Sequence, residues 1–128
     1  MVEQVTQGIK IGVKTKYNGT SYRNYRLYHI FSYFVTITNN SNHKVQLKCR
    51  RWTILDSQNK TENVEGDGVV GETPILRPKE TYSYQSGCFL ESTIGAMKGH
   101  YIMVNLDSNL EFKVIIPTFQ LNAPALSN

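Results

Sequence analysis

Apolar and polar side chains alternate along most of this chain, and no helical repeat of apolar positions is present. In the first half, strands are predicted at residues 8–17, 28–38 and 45–54. Polar stretches predict loops or turns at residues 18–24, 39–42 and 57–60. The apolar phase slips by one position before Trp52, which predicts a β-bulge at Arg50 and Arg51.

The second half shows the same alternation in shorter segments. Strands are predicted at residues 61–65, 81–86, 99–106 and 110–116. Residues 87–98 are predicted to be irregular, and Pro117 is predicted to end the last strand. Seven or eight short strands joined by turns predict an all-β fold, an antiparallel β-sandwich of the immunoglobulin or fibronectin type III kind. We expect one domain over residues 1–128, with its core at about 5–121 and a flexible tail at 122–128.

The length of 128 residues suits one domain that folds without disulfides or metals, since such a chain buries about two thirds of its unfolded surface. No apolar run approaches the roughly 18 residues of a membrane helix. The first residues lack the basic start and apolar stretch of a signal peptide. We therefore expect a cytoplasmic protein without membrane insertion. Cys49 and Cys88 are then expected to be free thiols, because disulfides are rare in the cytoplasm.

The net charge of +4 is unevenly distributed, with +8 over residues 1–60 and −4 over residues 61–128. A basic face can attract nucleic acid or anionic metabolites. However, Lys10, Lys14 and Lys16 alternate with apolar residues, as on the solvated face of a strand. No RNA-binding motif of aromatic and glycine residues accompanies these charges. We therefore expect no nucleic acid partner.

The residue types that serve nucleophilic catalysis are present without a recognisable motif. His29, His43 and His100 have no catalytic pattern around them, and Cys88 precedes apolar residues that favour a place in the core. No spacing of Cys, His and carboxylate residues typical of a metal site is found either. We therefore expect a protein that is not an enzyme and requires no cofactor.

Residues 65–71 contain the pattern G-x-G-x-x-G, formed by Gly66, Gly68 and Gly71. In dinucleotide-binding folds this pattern joins a strand to a helix whose N-terminus faces the pyrophosphate. Pro74 and Pro78 follow so closely that no helix can begin here. Turn glycines, which supply positive φ angles and close backbone approach, are the favoured interpretation.

Carboxylates surround these glycines and decide which ligands the loop suits. They repel a bare phosphate unless an arginine or a cation offsets them, and their oxygens could hold a divalent ion weakly. Two alternatives to a simple turn therefore stay open. The candidate residues for binding a nucleotide or pyrophosphate are Gly66, Asp67, Gly68, Gly71, Arg50 and Arg51. The weak candidates for binding Mg²⁺ or Co²⁺ are Glu65, Asp67 and Glu72.

Several longer blocks of sequence resemble the ApaG family of small bacterial proteins. These blocks are residues 50–56, 64–76, 84–91, 95–103 and 112–119. The glycine pattern lies inside the second block. The resemblance extends from about Val5 to Leu121, which is nearly the whole chain.

The resemblance implies a fibronectin type III-like sandwich and a cytoplasmic protein linked to cobalt tolerance and magnesium efflux, with no established biochemical activity. It also implies that the glycine pattern is the segment proposed as a pyrophosphate site in the family. Related domains in larger eukaryotic proteins look like interaction modules. We therefore expect a non-enzymatic module that binds an unidentified protein partner. The alternative is a nucleotide or pyrophosphate binder that uses residues 65–72, together with Mg²⁺ or Co²⁺.

Overall fold

The computed structural model of the chain describes residues 1–58 and 61–124, which form nine strands and no helix. In chain order the strands are β1 (Val2–Thr6), β2 (Ile9–Arg23), β3 (Arg26–Asn39), β4 (Val45–Asp56), β5 (Glu62–Asp67), β6 (Ile75–Leu76), β7 (Thr81–Leu90), β8 (Ile94–Asn105) and β9 (Leu110–Asn122). In this part of the chain no helix is long and apolar enough to cross a membrane.

The strands form two antiparallel sheets that pack face to face. One sheet has the order β1-β2-β3-β7. The other has the order β5-β4-β8-β9, and the short β6 also pairs with β4. The predicted all-β antiparallel sandwich is confirmed, and β1 and β6 are additions to the predicted strands.

The core lies between the sheets and is built from alternate side chains of the strands, as predicted. At its centre the Trp52 ring contacts three aromatic rings. The ring centroids of Tyr33, Tyr101 and Phe119 lie 5.4, 6.4 and 5.9 Å from that of Trp52. All four side chains are buried. Because large aromatic rings bury much apolar surface, this cluster stabilises the contact between the sheets.

One buried polar side chain holds the end of β3. Nδ2 of Asn39 donates to the carbonyl oxygens of His43 at 2.8 Å and Leu76 at 3.0 Å. Its Oδ1 accepts from the backbone N–H of Ser41 at 3.0 Å and from the Ser41 hydroxyl at 2.6 Å. Since a buried amide is costly unless it is hydrogen-bonded, Asn39 fixes both the turn after β3 and the position of β6.

The β2–β3 hairpin is longer than the alternation predicts. Residues 18–24, predicted to be a loop, instead continue β2 to Arg23 after a bulge between Tyr17 and Thr20. Asn24 and Tyr25, with φ angles of 51° and 66°, then close the hairpin. The loop prediction was wrong because this ribbon extends past the core, where polar residues can continue a strand without apolar alternation.

The bulge in β4 lies two residues before its predicted place at Arg50 and Arg51. The register with β8 shifts between Leu47 and Cys49, so Lys48 is the extra residue. The prediction was wrong because Cys49 is apolar and extends the inward pattern of the sequence. In the structure Cys49 lies on the side of β4 opposite Trp52.

Two predicted breaks in the second half are also wrong. β7 continues to Leu90 and β8 begins at Ile94, so most of residues 87–98 belong to strands. β9 continues through Pro117 because the register with β8 shifts at this point, and no ladder hydrogen bond from residue 117 is required.

The predicted flexible tail begins inside a strand. β9 ends at Asn122, and the N–H of Ala123 donates to the carbonyl of Thr93 at 2.8 Å. Residues 125–128 of the predicted tail, like Asn59 and Lys60 of the predicted turn, lie outside the described residues.

Candidate functional site

The glycine pattern lies at the end of β5 and in the hairpin that follows, at one edge of the second sheet. Gly66 is the register partner of Arg50 on β4. Because Lys48 is an extra residue, Arg50 shares with Trp52 the side of β4 that faces the core. The bulge therefore directs one of the predicted anion ligands toward the interior.

The guanidinium of Arg50 lies against Gly66. A Cβ atom at position 66 would be 2.6 Å from Cζ of Arg50. Nη1 of Arg50 donates to the carbonyl oxygens of Asp67 and Gly68, both at 3.0 Å. Gly66 thus leaves room for a side chain that fastens the loop to β4. The structure brings together Arg50, Gly66, Asp67 and Gly68 in this way.

The other two glycines serve the backbone of the hairpin. Gly68 has a φ angle of 61°, and a side chain there would collide with the carbonyl of Glu72. Val69 and Glu72 exchange two backbone hydrogen bonds of 2.8 and 3.0 Å. Between them, Val70 and Gly71 have φ angles of 47° and 79°, as in a type I′ turn. This geometry matches the favoured interpretation of the glycines as turn residues.

Some of the hydrogen-bond donors that an anion would need already have partners within the protein. The N–H of Gly68 donates to the carbonyl of Lys48 at 2.7 Å. Arg51 forms a solvent-exposed ion pair with Glu65, with Nη1 and Oε1 separated by 3.1 Å. Within residues 1–58 and 61–124, the N–H groups of Val70 and Gly71 and the Nε and Nη2 atoms of Arg50 have no hydrogen-bond partner.

The carboxylates around the loop do not gather at one point. Among the described residues, no three His, Cys, Asp or Glu side chains form a group that could hold a metal ion. Glu65 is paired with Arg51, and Oδ1 of Asp67 lies 3.9 Å from the Sγ atom of Cys49. Weak binding of Mg²⁺ or Co²⁺ by Glu65, Asp67 or Glu72 stays a prediction.

The candidate nucleophile and bases are engaged in other contacts. Cys88 is buried, and burial raises the pKa of its thiol to about 12, so the thiolate is scarce at neutral pH. Nδ1 of His29 lies 3.0 Å from the hydroxyl of Tyr17, and Nδ1 of His43 lies 2.9 Å from Oδ2 of Asp107. Burial, then the charges of Lys113 and Arg51, lower the pKa of His100. None of these contacts joins a nucleophile to a base.

One surface of interest was missed by the sequence reasoning, the outer edge of β7. The strand was predicted to end at residue 86, which hid both its length and its exposed side. The sequence signal that could have found it is the run Thr81–Leu90, which has no charged residue and no proline. Such a run is unusual for a strand at the edge of a sheet.

Known proteins with similar sequences are ApaG proteins, and the similarity covers nearly the whole chain. The family profile described as the ApaG domain matches residues 19–105. Protein ApaG of Shewanella pealeana is 40% identical over 125 residues, which cover 98% of this chain and 98% of that protein. Protein ApaG of Vibrio campbellii is 42% identical over 120 residues, which cover 94% of each.

Solved structures show the same similarity in three dimensions. An X-ray structure from a structural genomics consortium has a TM-score of 0.87 at 39% identity, covering 94% of this chain and 90% of the other. The crystal structure of the ApaA protein from Bordetella pertussis has a TM-score of 0.83 at 36% identity, covering 92% of this chain and 95% of the other.

Proposed function

Because the chain belongs to the ApaG family, we propose that it is a non-enzymatic cytoplasmic protein that binds a partner protein along the free edge of β7. The observation that carries this proposal is the absence of protection at that edge. Within the described residues, β7 is the last strand of its sheet and pairs with β3 alone. On this proposal, an effect on cobalt tolerance or magnesium efflux is indirect and passes through the partner.

Alternate residues of β7 direct their backbone groups away from the sheet. The N–H of Asn39 donates to the carbonyl of Glu80 at 3.0 Å, so the carbonyl of residue 80 points toward β3. Bonded and non-bonded pairs alternate in an antiparallel ladder, and the register of β3 with β7 has no shift. The residues whose N–H and C=O groups point outward are therefore Thr81, Ser83, Gln85, Gly87 and Phe89.

The three other edges, β1, β5 and β9, have features that oppose pairing with a second chain. β9 carries Glu111, Lys113 and Pro117 and has a register shift. β1 has five residues and lies against β9, since the N–H of Ile115 donates to Oγ1 of Thr6 at 3.2 Å. β5 has six residues, and three of them are carboxylates. β7 has ten residues without a charge, a proline or a bulge. Because these are the features that protect edges, β7 is the edge best suited to receive an added strand.

The surroundings of β7 indicate what the added strand would carry. Ser83 and Gln85 present a small, uncharged polar surface on the outer face of the sheet. On the other side, a cleft of about 400 Å³ separates the end of β7 from Ile54 and Glu62 of the second sheet. Side chains of an added strand alternate between these two surfaces. The cleft is lined by the charged Arg23 and Glu62 as well as by Ile54 and Phe89. We therefore expect an extended partner segment that alternates small polar side chains with longer side chains that combine apolar and polar groups.

A random peptide library displayed on phage tests this function. Peptides that bind the full chain are expected to protect the backbone amides of Ser83, Gln85 and Gly87 from hydrogen exchange, measured by NMR. Ser83→Pro removes one outward N–H and leaves the ladder to β3 intact, so we expect binding to weaken by about tenfold. Protection confined to β1, to β5 or to residues 66–71 would contradict strand addition at β7.

A matched pair of lysine variants controls for charge. Thr36 on β3 is the register partner of Ser83, so Thr36→Lys places the same charge on the same face but away from the edge. Only Ser83→Lys is expected to weaken peptide binding. Equal weakening by both variants would show that binding uses the face of the sheet rather than its edge.

A second candidate function is binding of a nucleotide or pyrophosphate, with Mg²⁺ or Co²⁺, at residues 65–72. The observation that favours it is the set of uncommitted donors on Arg50, Val70 and Gly71 within the described residues. Titration of ATP, pyrophosphate, Mg²⁺, Co²⁺ and their pairs, followed by amide NMR shifts, tests this candidate. Saturable shifts centred on residues 66–71 would support it, and no response at millimolar ligand would remove it.

A further inference from the structure

A cleft lies under the overhanging end of the β2–β3 hairpin, between the hairpin and one end of the second sheet. The hairpin contributes Tyr17, Tyr22, Leu27 and His29 to its lining, and the second sheet contributes Ile94 and Asn122. Its volume is about 850 Å³. Small-molecule sites in proteins measure roughly 300–1,000 Å³ and often lie at the open ends of β-structures.

Apolar side chains at the mouth of this cleft are exposed to solvent. Tyr22, Leu27 and Ile94 are 75%, 39% and 57% exposed. An occupant that covers them would remove apolar surface from water, which is the main driving force for binding of small molecules to such sites.

Among the described residues, no Asp, Glu, Lys or Arg side chain lines the cleft. The two arginines of the hairpin make their contacts elsewhere. Cζ of Arg23 lies 4.3 Å from the ring centroid of Phe89, and Nη1 of Arg26 pairs with Glu91 at 2.7 Å. Because a charged ligand would lose its hydration without gaining a partner of opposite charge, the cleft matches an uncharged occupant.

One polar pair lies in the wall. The hydroxyl of Tyr17 is 3.0 Å from Nδ1 of His29, which leaves Nε2 as the ring nitrogen without a partner in the described part of the chain. When the tyrosine hydroxyl donates to Nδ1, neutral His29 carries its proton on Nε2 and can donate it to an acceptor. In the tautomer with the proton on Nε2, the wall thus offers one directed donor, beside the uncharged polar side chains of Thr20, Thr93 and Asn122.

We propose that this cleft binds one small, uncharged, mainly aromatic or apolar molecule that carries a hydrogen-bond acceptor for His29. The site lies on the other face of the hairpin from the cleft beside β7, and the two clefts share no lining residue. A few convergent polar groups in an apolar cleft are the usual composition of a small-molecule site.

Fluorescence titration of the full chain with N-phenyl-1-naphthylamine, a neutral aromatic probe, tests the proposal. We expect a saturable rise with one-to-one stoichiometry. Ile94→Trp fills the mouth of the cleft and should weaken binding by about tenfold. Val5→Trp is the matched control, since Val5 is 59% exposed on β1 and Ile94 is 57% exposed, and it should leave binding unchanged.

Several outcomes would overturn the proposal. These are no saturable binding by the full chain, equal weakening by both tryptophan variants, or tighter binding of the anionic 8-anilinonaphthalene-1-sulfonate than of the neutral probe. Binding that appears only after residues 125–128 are removed would also overturn it, because the occupant would then be the end of the chain itself.

The role of His29 is tested with two ligands of similar shape. 2-Acetonaphthone carries a carbonyl acceptor, and 2-ethylnaphthalene does not. We expect the ketone to bind about fivefold more tightly, and His29→Phe to abolish this preference whatever it does to the affinity of both. Equal affinities for the unmodified chain, or a preference that survives in His29→Phe, would overturn the assignment of His29 as the donor.

Discussion

The guanidinium of Arg50 occupies the space that a side chain on Gly66 would need. The two residues are register partners, and a Cβ atom at position 66 would lie 2.6 Å from Cζ of Arg50. From this place Nη1 reaches the carbonyl oxygens of Asp67 and Gly68. The first glycine of the pattern, Gly66, therefore makes room for the positively charged side chain of Arg50.

Gly66→Ala is expected to lower the free energy of unfolding by about 1 kcal/mol, because the end of the flexible Arg50 side chain can move away but must then release both carbonyls. Arg50→Ala loses the same hydrogen bonds. The double variant should therefore cost about as much as Arg50→Ala alone, rather than the sum of both. Urea unfolding of the three variants measures this. Additive losses would show that the two residues are not coupled.

The coupling between Arg50 and Gly66 could not be predicted from the sequence. The apolar phase slip before Trp52 shows that β4 has a bulge, but apolar Cys49 hides its place. The direction of Arg50 depends on Lys48 being the extra residue. Its two carbonyl partners come from a strand paired across the sheet, which alternation along a single strand cannot reveal.

Val70→Asn is expected to raise the free energy of unfolding by about 1 kcal/mol. Val70 has a φ angle of 47°, a left-handed conformation that is unfavourable for a β-branched residue and well tolerated by asparagine. The side chain is 62% exposed, so little apolar burial is lost. Thermal and urea unfolding measure the change.

Val5→Asn serves as the control for Val70→Asn. Val5 is 59% exposed but lies in the extended strand β1, where valine is favoured over asparagine. We expect this variant to be less stable than the unmodified chain. A loss of stability in both variants would show that the hairpin tip is not strained.

Stability should fall as the pH rises above about 9. Burial raises the pKa of Cys88 from its ordinary value of 9.0 to about 12. Between these values the unfolded chain loses the thiol proton while the folded chain keeps it, so rising pH favours unfolding. The stabilisation is complete below pH 9 and is lost toward pH 12, by up to about 1.4 kcal/mol per pH unit.

Urea unfolding at pH 7, 9 and 10 measures this loss. Burial also raises the pKa of Tyr84 and Tyr101 above their ordinary value of 10.0, so the tyrosines contribute mainly at higher pH. Cys88→Ala should flatten the fall between pH 9 and 10, whereas Cys49→Ala, which removes the half-buried thiol, should retain it. If the free energy of unfolding of Cys88→Ala fell with pH as steeply as that of the unmodified chain, Cys88 would not be the group responsible.

The strands that face the core could be predicted more accurately than the points at which strands extend past the core or shift register. Where one side of a strand faces the core, as at Ile9, Ile11 and Val13, burial imposes an alternation that the sequence displays. Residues 18–23 extend past the core, so their pairing leaves no such pattern. Pro117 is tolerated because it coincides with a register shift, a relationship between two strands rather than a local signal.

The candidate sites differ, for the same reason, in how far each could be predicted from the sequence. The glycine pattern is a local run, so the sequence could identify it, and the turn function of Gly68 and Gly71 could be predicted from glycine chemistry. The cleft below the β2–β3 hairpin joins Tyr17 and Ile94 from distant segments. The free edge of β7 exists because no further strand pairs beside it in the described structure. Both depend on topology, which composition alone does not determine.

The exposed edge of β7 also predicts self-association of the protein without a partner. An unprotected strand of ten residues without charge or proline can pair with the same strand of a second molecule. At high concentration we expect light scattering to detect dimers or larger species, and Ser83→Lys to suppress them. Because Ser83 is exposed, this change should alter the free energy of unfolding by no more than about 0.5 kcal/mol.

Thr36→Lys adds the same charge one strand away, so it should leave association intact if pairing occurs at the edge. Suppression by both variants would instead indicate a general effect of net charge, and a monodisperse unmodified chain at all concentrations would show that the edge does not pair with itself.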